Sequence, residues 1–364
     1  MSNEWCTIES DPGVFSELVE KMGVKDLSVE EIITMDDRFY MNSLEPIHGF
    51  IFLFRWDNQK PYKPERSTEM MTNLFFAKQV ITNNCATQAL LSVLLNQNNE
   101  IDLGKELSQF KEFTMALDPL MRGEAIGQCG HIRKVHNSFA KPDSFLFVRD
   151  PNDKSQGKKE DAFHFVSYIR DKSSGNVYEL DGLRQGPILL GKVENEKTWI
   201  DIVVQEVQDR MKHYISNEIR FALLAVVDAP LKQIKKTISS VEEDLKRLLR
   251  QLMTSPKHEE FLKDINFDLT AFETNESDIQ IEQNDLSGTE GSLNYKDIVA
   301  QLNALHNSLL VEKDKQNDQN TKKEAIKLEN ARRKHNFIPF IFELLKLGVE
   351  EDMLNEFYNE AKQK

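Results

Sequence analysis

Four side chains of this sequence have the types and spacing for cleaving an acyl bond without a metal: a thiol, an imidazole, a carboxylate and a carboxamide. In Lys78-Gln79-Val80-Ile81-Thr82-Asn83-Asn84-Cys85-Ala86-Thr87-Gln88, a loop or strand entry gives way to a helical pattern at the Asn-Asn-Cys step, which puts Cys85 in the first helical turn. There, unpaired backbone N–H groups and the positive end of the helix dipole favour thiolate over thiol. Six residues upstream, Gln79 supplies a side-chain N–H that, with the backbone N–H of Cys85, would face a developing oxyanion. Such donors contribute about 3–4 kcal/mol each in related acyl transfer. The candidate base is His164, on a strand-like stretch whose alternation places His164, Val166 and Tyr168 on one face. A second strand, Val177 to Leu180, ends at Asp181-Gly182, so a hairpin would set Asp181 beside His164 to orient the imidazole and stabilise its charged form.

Each residue alone has a blander reading. A lone cysteine is usually a small buried hydrophobe, a histidine in an apolar strand is usually structural, and Asp-Gly is a common turn. Together they make the set a thiol protease requires. Of the other histidines, His48 and His131 lie in different contexts, and His136, His213, His258, His306 and His335 have no aspartate-ending partner strand. No GxSxG, HExxH or complete P-loop pattern occurs, so no metal or cofactor is expected.

The elements that must hold these residues lie before Asp228. Strands are expected at Phe50–Phe54, Phe163–Ile169, Val177–Leu180 and Arg220–Val227. Helices are expected at Pro12 to Met22, Asn84 to Asn96 and Asp118 to Phe139, the last opened by an Asp-Pro cap. This is an α+β pattern. Between Lys141 and Asp161, KPDSFLFVRDPNDKSQGKKED reads as a long exposed loop next to the histidine strand, a length typical of binding loops and lids.

Beyond Ala229-Pro230 the strand signals stop. Leu231, Ile234, Ile238, Val241, Leu245, Leu248 and Leu252 form one apolar seam, and Tyr295, Ile298, Leu302, Leu305 and Leu309 form another, which predicts a helical hairpin. The stretch from Ser255 to Ser292 is acidic and aperiodic. After the polar VEKDKQNDQNTKKE and the basic KLENARRKHN comes an apolar cluster: Phe337, Ile338, Phe340, Ile341, Phe342, Leu344, Leu345 and Leu347. Such a cluster either packs on the two seams or docks another protein.

The chain is acidic, with 46 Lys+Arg against 60 Asp+Glu and a formal net charge of −14, which disfavours direct nucleic-acid binding. Three scattered cysteines, Cys6, Cys85 and Cys129, suggest neither a disulfide framework nor a zinc site and fit a reducing compartment. No apolar stretch approaches the roughly 20 residues of a membrane span. A soluble intracellular protein is expected.

WCTIESDPGVFSELVEKMGV, NNCATQALLSVLLN, EDAFHFVSYI and YELDGLRQGPI resemble the ubiquitin C-terminal hydrolase family of cysteine proteases, specifically its long form with a C-terminal extension. The resemblance spans nearly the whole chain. It implies a papain-like α+β domain over residues 1–228, a central antiparallel sheet flanked by helices, and an all-helical extension over 229–364. It assigns Cys85 as nucleophile, His164 as general base and acid, Asp181 as its orienter and Gln79 as the oxyanion residue. It places a crossover loop at about 141–161. The implied substrates are ubiquitin and its conjugates, cut after ubiquitin's C-terminal glycine. The implied partners are a proteasomal ubiquitin-receptor subunit, bound through Phe337, Ile338, Phe340, Ile341, Leu344 and Leu345, and a chromatin-remodelling complex, which would put the protein in cytoplasm and nucleus. The competing reading is a ubiquitin-binding scaffold with little turnover, and the intact set of four residues weighs against it.

Overall fold

A computed structural model describes residues 5–55, 73–97, 100–140, 163–193, 198–214, 221–253, 260, 262–267 and 295–350. The expected crossover loop at 141–161, most of the acidic 255–292 stretch and the last fourteen residues lie outside the described residues. The chain forms two compact units, Met1–Asp228 with Ile326–Lys364, and Ala229–Ala325. Among the described residues no helix is long and apolar enough to cross a membrane.

The first unit is built on a six-stranded sheet, wholly antiparallel, in the order β1-β6-β2-β3-β4-β5. The strands are β1 (Leu27–Glu31), β2 (Ile47–Arg55), β3 (Phe163–Arg170), β4 (Asn176–Leu180), β5 (Ile188–Lys192) and β6 (Ala222–Asp228). Period-two alternation divides β2 between two cores. Phe50, Phe52 and Phe54 pack with Val166, Tyr168 and the apolar side of α7 (Trp199–Tyr214), while Ile51 faces the opposite side with Phe165 and Ile169. That second core is covered by α1 (Pro12–Lys21) and α3 (Cys85–Leu94), with α4 (Gly104–Met115), α5 (Pro119–Gln128) and α6 (Gly130–His136) around them. The short α2 (Arg38–Ser43) packs on the α7 side through Met41.

The helix starts follow their caps. Asp11 accepts from the Val14 N–H ahead of Pro12, and Asp118 accepts from Leu120 and Met121 ahead of Pro119. The single helix expected from Asp118 to Phe139 is instead broken at Cys129, whose extended backbone (ψ 103°) separates α5 from α6, and a 3-10 turn at Asn137–Phe139 ends the run. Cys129-Gly130 is the weak point in the periodicity: glycine opens the next helix, and apolar spacing alone does not register the change of direction.

In the second unit, α8 (Pro230–Met253) and the first part of α9 (Tyr295–Lys334) share one apolar cluster. Ile238, Leu245, Leu249 and Leu252 meet Ile298, Val299, Leu302 and Leu309, so the two seams read from the sequence pack together. The polar stretch after Leu310 stays helical and largely exposed.

The end of α9 belongs to the first unit and grips α1. Arg333 Nη2 donates to Asp11 Oδ2 at 2.8 Å, Asn330 Nδ2 donates to the Gly13 carbonyl at 3.0 Å, and Lys334 pairs with Glu17 while lying 4.0 Å from the Phe139 ring centroid. The last described helix, α10 (Ile338–Glu350), has no buried residue.

Candidate active site

Cys85 is the first residue of α3, a helix whose every following residue is buried. The entry into it is tightly shaped. Asn83 sits in the left-handed region (φ 68°), which asparagine tolerates better than most side chains, and its Nδ2 donates to the Trp5 carbonyl at 3.2 Å. Asn84 is fully buried, makes no side-chain cap, and neither of its amide atoms has a hydrogen-bond partner among the described residues. Two residues past the thiol, the Thr87 hydroxyl donates to His136 Nδ1 at 2.8 Å, while His136 Nε2 donates to the Cys6 carbonyl at 2.7 Å. The N-terminal segment is therefore sewn to both flanks of Cys85. Because a carbonyl only accepts, this pattern keeps His136 neutral, and burial pushes its pKa down to about 4 against the pull of that carbonyl.

His164 lies on β3, directly across from Phe54 of β2 and edge-on to its ring at 5.8 Å. Its Nε2 donates to Asp181 Oδ1 at 2.7 Å, and the imidazole also shares a side-chain hydrogen bond with Cys85. The hairpin expected between the histidine strand and the aspartate exists as the β3–β4 pairing, which sets Ser167 opposite Leu180 and leaves Asp181 just past the strand end. Asp181 Oδ1 also accepts from the Leu183 N–H at 3.0 Å. His164 and Asp181 are 4% and 2% exposed. Burial opposes charge on the imidazole. The hydrogen bonds and negative charges of Asp181 and Cys85 outweigh it, and together they raise the His164 pKa to about 9. Burial likewise opposes the Asp181 carboxylate, but His164, the Leu183 N–H and the charge of Arg210 hold it below the ordinary carboxyl range.

Gln79 is placed by its backbone. The Gln79 N–H donates to the Gly182 carbonyl at 2.9 Å, the Lys78 N–H donates to the Pro119 carbonyl at 2.8 Å, and Gln88 Nε2 of α3 donates to the Ala77 carbonyl at 2.6 Å. Arg122 of α5, itself buried, donates to the Leu74 and Phe76 carbonyls just upstream. Two glycines permit the close packing: a Cβ at Gly123 would stand 2.0 Å from the Lys78 carbonyl oxygen, and one at Gly182 would stand 2.3 Å from Gln88 Nε2. The Gln79 side chain donates to the Ile81 carbonyl at 3.3 Å. The turn that carries Asp181 is thus hydrogen-bonded to the segment that carries Gln79.

Of the six residues expected to dock a partner, Phe337 immediately precedes α10 and the other five lie on it. Phe337, Phe340, Leu344 and Leu345 are exposed, Ile338 and Ile341 half-buried. The supporting residues had weaker signals. Motif logic set His136 aside as lacking a partner strand, which is consistent with its neutral, structural hydrogen bonds. Arg122, Gln88, Glu179 and Arg210 look in the sequence like ordinary helix and strand polar residues. Glu179 and Arg210 are nevertheless fully enclosed, with Arg210 Nη2 donating to both Glu179 carboxylate oxygens at 2.8 and 2.9 Å.

Comparison with known proteins fits this geometry. Residues 5–212 match the family described as ubiquitin carboxyl-terminal hydrolase, family 1, and residues 305–354 match a C-terminal module of ubiquitin carboxyl-terminal hydrolases. The chain is 40% identical over 361 residues to ubiquitin carboxyl-terminal hydrolase isozyme L5 of Dictyostelium discoideum, covering 98% of this chain and 95% of that one. It is 34% identical to ubiquitin carboxyl-terminal hydrolase ubh-4 of Caenorhabditis elegans, over the full chain and 94% of the relative. Among solved structures, the crystal structure of Trichinella spiralis UCH37 bound to ubiquitin vinyl methyl ester superposes with a TM-score of 0.53 at 38% identity, over 66% of this chain and 88% of that one. With the family matched across more than half its length and a relative matched across nearly all of it, this chain belongs to the ubiquitin carboxyl-terminal hydrolases, cysteine-type enzymes of the long form with a helical C-terminal extension.

Proposed function

We propose that residues 1–228 hydrolyse amide and isopeptide bonds after the C-terminal glycine of ubiquitin, with Cys85, His164, Asp181 and Gln79 as the reacting set, and that residues 229–364 regulate and recruit the enzyme. The observation that carries this reading is the imidazole of His164 hydrogen-bonded to both Asp181 and Cys85. With Nε2 committed to Asp181, Nδ1 is the nitrogen that takes and returns the thiol proton. Sγ of Cys85 attacks the glycine carbonyl carbon, and the negative charge moves to its oxygen. The Cys85 backbone N–H and the Gln79 amide, turned from Ile81, stabilise that charge. The imidazolium gives its proton to the departing amine, leaving a thioester. His164 then removes a proton from water as the water attacks, and the thiol and ubiquitin's carboxylate are released. Asp181 fixes the ring and stabilises its charged form throughout.

The regulatory half rests on α10, whose apolar side chains are exposed among the described residues and suit a proteasomal ubiquitin-receptor subunit. The decisive experiment for the catalytic half is labelling by ubiquitin bearing a C-terminal electrophile, alongside turnover of a fluorogenic ubiquitin amide. Cys85→Ala is expected to abolish both, and undiminished labelling would remove Cys85 from its role. A scaffold would bind ubiquitin without any turnover in the unsubstituted chain.

A further inference from the structure

Behind His164 and Asp181 the interior holds a second pair of charges that the reaction scheme does not use. Glu179 lies on β4 two residues before Asp181, directly opposite Tyr168 of β3, and has no exposed surface. Arg210 comes from α7 and is 2% exposed. Its Nη2 reaches both Glu179 oxygens, and its guanidinium carbon lies 5.0 Å from the centroid of Phe54, the ring that meets His164 edge-on. Two buried charges are costly unless each compensates the other, and breaking such a pair is far more destabilising than replacing it whole. Its position connects it to the candidate site twice, once through the charge Arg210 presents to Asp181 and once through the Arg210–Phe54–His164 stack.

We propose that Glu179 and Arg210 are positioning residues for the hydrolysis: a mutually compensated ion pair that balances the charge around the His164–Asp181 pair and, through Phe54, holds the plane of the imidazole. The inference rests on the catalytic reading given above. Burial opposes charge on Arg210, and the attraction of Glu179 outweighs it, so the guanidinium keeps its proton more firmly than usual. Without Glu179 that positive charge would persist and leave the surroundings of His164, which must also carry one, more positive by one charge. The titratable and charged groups packed around His164 among the described residues are Cys85 of α3, Asp181 and Glu179 of β4 and its following turn, Arg184 next to Asp181, and Arg210 of α7, with Tyr168 and Glu206 bordering the pair. Of these, Glu179 is the negative group in direct ion pairing with Arg210.

The test is the pH profile of kcat/KM on a fluorogenic ubiquitin amide, using the full chain. Glu179→Gln is expected to move the alkaline limb, set by loss of the imidazolium proton, about one pH unit toward neutrality. The double variant Glu179→Gln with Arg210→Met is expected to return the limb to its original position. It should also lower kcat about three- to tenfold at unchanged KM, because the Phe54 support is lost. A limb that does not move in Glu179→Gln overturns the proposal, as does one that the second substitution fails to restore. Should Glu179→Gln not fold, the double variant decides alone, and an undiminished kcat with unchanged thermal midpoint overturns the positioning role. If instead the unsubstituted chain shows no turnover that depends on Cys85, the catalytic reading itself has failed, an outcome distinct from all of these.

Discussion

Two regions of this molecule depart from the rule that charge lies outside and apolar surface inside, and they depart in opposite directions. Around β3, β4 and α7 the interior encloses His164, Asp181, Glu179 and Arg210, all at 4% exposure or less. On α10 the outside carries Phe340, Phe342, Leu344, Leu345 and Leu347, all more than half exposed. The first departure is resolved within the chain, since each of the four enclosed side chains faces an opposite one at hydrogen-bonding distance. On α10 no residue is buried, so nothing among the described residues resolves the second departure. Buried charges that pair with each other need no further partner, whereas exposed apolar surface of this extent usually marks an interaction site.

The sharpest way to break this contrast is to remove the proposed base while keeping its hydrogen bond. His164→Gln retains a donor for Asp181 but cannot take a proton. Turnover should fall by about 10³- to 10⁴-fold with ubiquitin affinity preserved, measured by steady-state kinetics and by binding to an inert ubiquitin. A loss below tenfold would mean that the buried set is structural. The exposed region should respond in the reverse sense. Phe340→Asp with Leu344→Asp changes two side chains that are exposed among the described residues, so intrinsic turnover and thermal midpoint should hold, while affinity for the proposed proteasomal receptor subunit drops at least about 100-fold. A midpoint several degrees lower would show α10 packed within the chain, and the contrast would collapse.

How far the sequence reached follows the same division. Cys85, His164 and Asp181 were legible because local rules place them: a helix start, a strand face and a strand end joined by a hairpin whose pairing is short-range. The two seams of α8 and α9 were legible because heptad spacing encodes a partner. Strands β1 and β5 were missed. Leu27–Glu31 alternates with charged residues at the sheet edge, and Ile188–Lys192 is five residues long and half exposed, so neither carries the apolar density that marks β2 and β6. Glu179 and Arg210 could not be read at all, because their meaning depends on α7 crossing behind β4, a contact 31 residues apart in sequence. A charged residue looks the same in sequence whether it ends in water or in the core.

His136 tests the contrast at its smallest scale, since it is a buried ionisable side chain with only neutral partners, the Thr87 hydroxyl and the Cys6 carbonyl. If buried charge persists only where it is compensated, His164 and His136 must bend stability in opposite ways. The raised pKa of His164 contributes stability that is fully present below about 6.5 and lost as pH rises through about 9. The lowered pKa of His136 contributes stability present above about 6.5 and lost as pH falls through about 4, because the unfolded chain takes up a proton the native core refuses. Between those two values the loss approaches about 1.4 kcal/mol per pH unit. Carboxylates such as Asp11 and Asp181 also lose stability in acid, so the informative quantity is a difference. His136→Gln keeps a donor for the Cys6 carbonyl and an acceptor for Thr87 but cannot titrate. Urea unfolding of the original chain and of this variant at pH 7 and pH 5 should show a smaller acid loss in the variant, with turnover at pH 7 little changed. Equal acid losses would mean that His136 accepts its proton in place, and that burial with neutral partners is no bar to charge in this core.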